Sequence, residues 1–215
     1  MNKKINELIT KAKVAIKNGK DHPVAAAMLH EFGYTSDRLD EGNAILNEAV
    51  TQYSNHIKED GERQEATKEL TQAFEEANKL YIPLLKVARI TFKNDTNRLI
   101  KLELQGRRKR SQSGWLTQTK LFYTNLLADE EAMARMADYG RTKEKLEEAY
   151  LMVQKAEEKL AIRKKEMGAA QNAKKVRDKA VDQLQAWYTD YIEIAKVAMA
   201  EQPQYLEMLG IISPS

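Results

Sequence analysis

Cysteine is absent from this 215-residue chain, which removes disulfides, thiolate nucleophiles and cysteine-ligated zinc at once. Proline and glycine are scarce, at four and nine residues, too few to punctuate the many turns of a β-sandwich or barrel. Long apolar runs are missing as well. The most apolar window, Ala186 to Ala200, still carries Asp190, Glu193 and Lys196, so nothing approaches the roughly 18 uncharged residues of a membrane span. The opening residues are basic but interrupted by Asn6, Glu7, Thr10, Lys11 and Lys13, so no signal-peptide core is read there, and a soluble cytoplasmic protein is expected. Histidine is limited to His22, His30 and His56. Gly19, Ala27 and Tyr53 stand three positions before them, so the Glu-x-x-His pairs of a di-iron bundle are lacking. P-loop, Gly-x-Ser-x-Gly, His-Glu-x-x-His and paired-glycine fingerprints are lacking too. Adjacent acids such as Asp40 with Glu41 or Glu147 with Glu148 point about 100° apart on a helix and suit a solvated face. No catalytic residue, metal ligand or cofactor is assigned.

What the chain does contain is charge and helical periodicity. Charged residues make up 31% and hydrophobic residues 42%, a balance that suits amphipathic helices. The sequence also matches itself. A shift of 107 residues lays Gly33 on Gly140, Thr35 on Thr142, Leu39 on Leu146, Gly61 on Gly168, Tyr81 on Tyr188 and Ala88 on Ala195 without a gap. Such self-similarity predicts a duplicated helical unit, with repeats over 1–106 and 114–215 joined by a basic linker over 107–113 and packed as one globular body.

Within each repeat the pattern predicts two short helices, a long helical hairpin and a short closing helix. The short helices cover Lys3 to Asn18 and Pro23 to Phe32 in the first repeat, and Trp115 to Leu127 and Glu130 to Tyr139 in the second. Gly33 and Gly140 end the second short helix of each pair, and Thr35 and Thr142 start the next. Leu146, Val153, Leu160 and Met167 recur every seven residues beside Ala149, Ala156 and Ala170. The hairpins, Ser36 to Phe92 and Lys143 to Met199, are expected to turn near Gly61 and Gly168. Together they would form an antiparallel four-helix bundle flanked by short helices. Pro83 should kink its helix. Asp95 and Gln202–Pro203 begin the closing helices, Gly210 with Ile211 ends the second, and Ser213–Pro214–Ser215 should fray.

The stretches RSQSGWLTQTKLFYTNLL, MADYGRTKEKLEEA, KEMGAAQNAKKVRDKAVDQLQAWYTDYIEIAKVAM and QPQYLEMLGI resemble an uncharacterised bacterial family of all-helical proteins built from two similar halves. The resemblance implies a fold and no activity, since no reaction or ligand is established for that family.

Two groups of residues stand apart from a bland helical surface. Arg107, Arg108, Lys109 and Arg110 lie consecutively, and they account for the net charge of +3, because residues 1–106 hold sixteen basic and sixteen acidic residues. Such a run either contacts phosphates or is a solvated linker or a partner for acidic side chains on either repeat; short basic runs are common and weakly specific, which favours the second reading. Tyr81, Trp187, Tyr188 and Tyr191 either line a pocket between helices or fill a core, and core packing is favoured. Tyr81 and Tyr188, at matching positions, are candidates for a symmetric pair near a pseudo-two-fold axis. The leading functional expectation is a non-enzymatic interaction or scaffold protein that presents helical surfaces to a protein partner or a second copy. Weak polyanion or nucleic-acid binding by the basic run, and small-molecule binding between helices, come second.

Overall fold

The computed structural model describes residues 3–211, and over that span the protein is all-α: eight helices and no strand among the described residues. They are α1 (Lys3–Asp21), α2 (Pro23–Glu31), α3 (Ser36–Thr91), α4 (Thr96–Lys101), α5 (Gln112–Leu127), α6 (Glu130–Ala137), α7 (Lys143–Ala198) and α8 (Gln204–Met208). Among the described residues no helix is long and apolar enough to cross a membrane. Ser213–Pro214–Ser215 lies outside the described residues.

The expected hairpins are the main correction. Neither Gly61 nor Gly168 makes a turn; α3 and α7 are each one unbroken helix of 56 residues. A lone glycine weakens a helix interior by only about 1 kcal/mol relative to alanine, which the turns on either side outweigh. Reversal would need several residues of loop chemistry, and EDGERQ and EMGAAQ contain one glycine each with no proline or asparagine. Pro83 does not end α3 either. Its exposed position leaves the carbonyl it fails to serve, one turn back at exposed Lys79, open to water.

Short-range punctuation behaves as its chemistry dictates. Gly33, Gly140 and Gly210 take φ of 83°, 69° and 77°, the left-handed conformation that closes a helix. In each case the next amide reaches back five residues: Tyr34 to Leu29 O, Arg141 to Met136 O and Ile211 to Leu206 O. Asp95 caps α4 by accepting from the Arg98 amide at 3.0 Å. Thr35 accepts from the Arg38 amide at 3.3 Å.

The chain divides into two compact units, one of residues 1–61 with 168–215, the other of residues 62–167. The division does not follow the expected repeats, since each unit takes a stretch of both long helices. In the first unit α1, α2 and α8 cover the start of α3 and the end of α7. Its core holds Ala12, Ile16, Leu46, Ala49 and Leu184, and beside them Leu29, Tyr34, Leu39, Tyr191 and Met199. In the second unit α4, α5 and α6 cover the end of α3 and the start of α7, around Ala77, Tyr81, Phe92, Phe122, Leu126, Leu146 and Val153. The seven-residue stripe of α7 is buried at its start, where Leu146 and Val153 are fully covered, each such side chain contributing about 1.5–3 kcal/mol by leaving water, and half-buried further on at Leu160 and Met167. Lys159 and Lys155 of α7 pair with Glu69 and Glu76 of α3 along the same seam, at 2.8 and 3.9 Å.

Candidate functional site

The basic run lies in the second unit, between α4 and α5, and three sets of contacts hold it there. Arg89, near the end of α3, donates from Nε to Leu104 O and from Nη2 to Gly106 O, both at 2.9 Å. Asn78, eleven residues earlier and therefore three turns back on the same face of α3, accepts at Oδ1 from Arg108 Nη1 at 2.8 Å and from the Trp115 indole at 2.9 Å. Gln118 of α5, 2% exposed, accepts the Lys109 amide at 2.9 Å and donates to Glu103 O at 3.3 Å. Ser111 caps α5 through the Gly114 amide, and a Cβ at Gly114 would stand 3.2 Å from that of Lys109, so glycine lets the loop lie close to the helix. Two backbone positions set the entry to the loop. Gly106 has φ of 73°, and Glu103 takes the left-handed φ of 54°, which costs a non-glycine residue about 1–2 kcal/mol. The loop is exposed to solvent, as a solvated linker would be, and these contacts tie it to α3 and α5.

Fixing the backbone sorts the four cations. Arg107, Arg108 and Arg110 join Arg89 and Gly106 around a cleft of about 600 Å³, whereas Lys109 faces a second hollow of about 400 Å³ beside Glu103, Ser113 and Thr117. Among the described residues none of the four cleft arginines pairs with a carboxylate within 4 Å. Arg98, by contrast, is paired with Asp95, Asp129 and Glu131 in the same unit. The fields of Arg89 and Arg108 reach the Tyr81 hydroxyl below. Burial pushes that phenol up to about 12 while the two guanidinium charges pull it the other way. Guanidinium groups neither give up nor accept protons near neutrality, so what the arginines lining the cleft bring to it is fixed positive charge and hydrogen-bond donors.

The aromatic candidates fall into both units. Tyr81 is fully buried in the second, against Phe122 at 5.5 Å and Trp115 at 6.2 Å, and its hydroxyl has no partner among the described residues. Trp187, Tyr188 and Tyr191 belong to the first unit. Trp187 stacks on Tyr191 at 5.1 Å, and Tyr191 donates to Ala15 O at 3.0 Å. Tyr188 is only half-buried, so it does not share the environment of Tyr81. What draws Trp187 inward is Gly42, where a Cβ would stand 2.1 Å from the indole. A Cβ at Gly19 would likewise stand 2.1 Å from the Tyr191 hydroxyl. These rings fill space left by glycines.

Sequence reasoning missed Arg89, Asn78 and Gln118. The first two had a legible signal, polar residues eleven apart on the helix face that also carries Tyr81 and Leu85. Gln118 had none, because its partners are backbone groups of a loop. Trp115, 3% exposed with its N–H engaged by Asn78, belongs to the core as its apolar neighbours indicated. Comparison of the chain with models of known families, with curated proteins and with solved structures finds no match.

Proposed function

We propose that the protein is a non-enzymatic helical interaction protein whose ligand is polyanionic and is held by the cleft of Arg89, Arg107, Arg108 and Arg110. The observation that carries this reading is the gathering of four guanidinium groups, unpaired with carboxylates among the described residues, around one concavity whose loop is strapped at Arg89, Asn78 and Gln118. A loop whose backbone is already held, with Arg89 and Arg108 themselves hydrogen-bonded, loses less freedom on binding than a solvated basic tail would. The charge of the unit supports it as well. Residues 62–167 hold 22 basic and 17 acidic residues, a net +5, against 13 and 15 in the rest of the chain, a net −2.

An internal duplication belongs to the same reading, supported by the 107-residue shift that carries the limits of α3 onto those of α7. A bacterial, cytoplasmic setting rests on the family resemblance and the composition.

Fluorescence anisotropy with labelled long-chain polyphosphate and a single-stranded oligonucleotide tests the anion reading. At low salt at least one is expected to bind, with affinity falling as salt rises, and the R107A/R108A/R110A variant is expected to lose roughly tenfold or more. Absence of binding at low salt, or binding indifferent to the substitutions, overturns it. The three residues are exposed and lie outside the helices, so the variant should keep the parent's helical circular dichroism although the Arg108–Asn78 contact is lost.

A further inference from the structure

Resting on the reading of the cleft as an anion site, we infer that its ligand is a linear oligophosphate, a chain of three or more consecutive phosphates, free or as the tail of a nucleotide, and that nucleic acid is not the ligand. Size is the first reason. A volume of about 600 Å³ lies within the roughly 300–1,000 Å³ typical of small-molecule sites and far exceeds what one phosphate fills. Donor geometry is the second. Arg107 and Arg110 bring planar forks that meet two phosphate oxygens at once, and Arg89 and Arg108 add the donors not engaged by Leu104, Gly106 and Asn78, so the set suits several linked phosphates better than one.

The third reason is what surrounds the cleft. Recognition of single strands uses aromatic platforms on which bases stack, and the cleft is lined by arginine and glycine. The nearby indole of Trp115 is buried and engaged by Asn78. A nucleic-acid surface also needs a broad basic stripe, whereas the fourth cation of the run, Lys109, is turned away into a separate hollow beside Glu103.

Arg89 has a double place in this arrangement. Its Nε and Nη2 hold the loop through two carbonyls while the guanidinium itself lines the cleft. It is a positioning residue, and lysine keeps its charge but not its fork.

Calorimetric titration of the full chain with tripolyphosphate, orthophosphate, ATP and a short oligothymidylate at one fixed salt concentration tests the inference. Tripolyphosphate is expected to bind one to one, about 100-fold tighter than orthophosphate, with ATP within about tenfold of it. R108A and R107A/R110A should each weaken tripolyphosphate about tenfold or more, and R89K should weaken it despite unchanged net charge. An oligothymidylate that binds as tightly as tripolyphosphate, with affinity growing with length, overturns the oligophosphate assignment and leaves the polyanion reading standing. ATP binding more tightly than tripolyphosphate supports the nucleotide-borne form of the same ligand. Failure of every anion overturns both.

Discussion

The two compact units share one plan, two short helices and a closing helix over stretches of α3 and α7, yet they fill equivalent places with opposite choices. Where the first unit sets Trp187 over Gly42, the positions 107 residues away in the second are Leu80 and Ala149. Where the first sets Tyr191 over Gly19, the second has Leu84 and Leu126. The first unit thus sets a large ring against a glycine at both places, whereas the second has Leu80, 39% exposed, with buried Ala149, and the two buried leucines Leu84 and Leu126. The closing helices show a second exchange. In the second unit Arg98 of α4 bonds Asp129, the N-cap of α6, at 2.9 Å; in the first, Tyr205 of α8 rests on His22, the N-cap of α2, with ring centroids 5.5 Å apart. An ionic clamp and an aromatic contact join corresponding helices.

The largest effect follows from the glycine–aromatic exchange. Gly42→Ala forces a methyl group into the indole of Trp187 and should destabilise the protein by about 1–3 kcal/mol in denaturant unfolding. Adding Trp187→Leu takes away the indole that the new methyl group would strike and should recover part of that loss, a positive coupling in the double-mutant cycle. Strictly additive losses would mean the two positions do not compensate.

An intermediate effect separates the clamps by pH. Hydrogen bonds from the Arg98 amide and side chain hold Asp95 below the usual aspartate range, and those from the Arg98 side chain and the Ala132 amide do the same for Asp129. A lowered folded-state pKa means stability that is present above the ordinary aspartate value and is lost as pH falls through the lower folded one. Hydrogen exchange from neutral toward acid should therefore show amides of α4 and α6 losing protection before those of α2 and α8. Arg98→Leu should remove most of that difference; an unchanged profile would place the acid sensitivity elsewhere.

The smallest effect concerns Gly61 and Gly168, the glycines of the long helices that no side chain packs against. Gly61 and Gly168 are exposed, and a Cβ at either would meet nothing within 4 Å. Alanine at each should raise stability by about 0.5–1 kcal/mol, read as an upward shift of the thermal midpoint. A loss would show that these glycines serve a bend rather than a straight helix.

Much of the local structure was legible. Gly33, Gly140 and Gly210 announced helix ends because only glycine enters the left-handed region without a Cβ penalty, and Asp95 announced a helix start. The limits of the long segments, Ser36 and Lys143, followed from such signals. The candidate site was legible in part. Arg107, Arg108 and Arg110 stood out as a run, but Arg89 joins them from α3, and Lys109 leaves them because its amide is held by Gln118 and its Cβ lies against Gly114 of α5. The charge asymmetry was hidden for a related reason. Residues 1–106 are neutral along the chain, yet regrouped in space the units carry +5 and −2, because each takes a stretch of both long helices.

By itself the sequence determined an all-helical chain, the ends of its main helices and the residues that cap them, since periodicity, glycine and capping side chains act within a few residues of one another. Tertiary structure alone decided that α3 and α7 run straight through Gly61 and Gly168, that the units draw on both expected repeats, and that four arginines share a cleft. Those outcomes depend on which distant surfaces bury each other, and burial is summed over contacts that no local window contains.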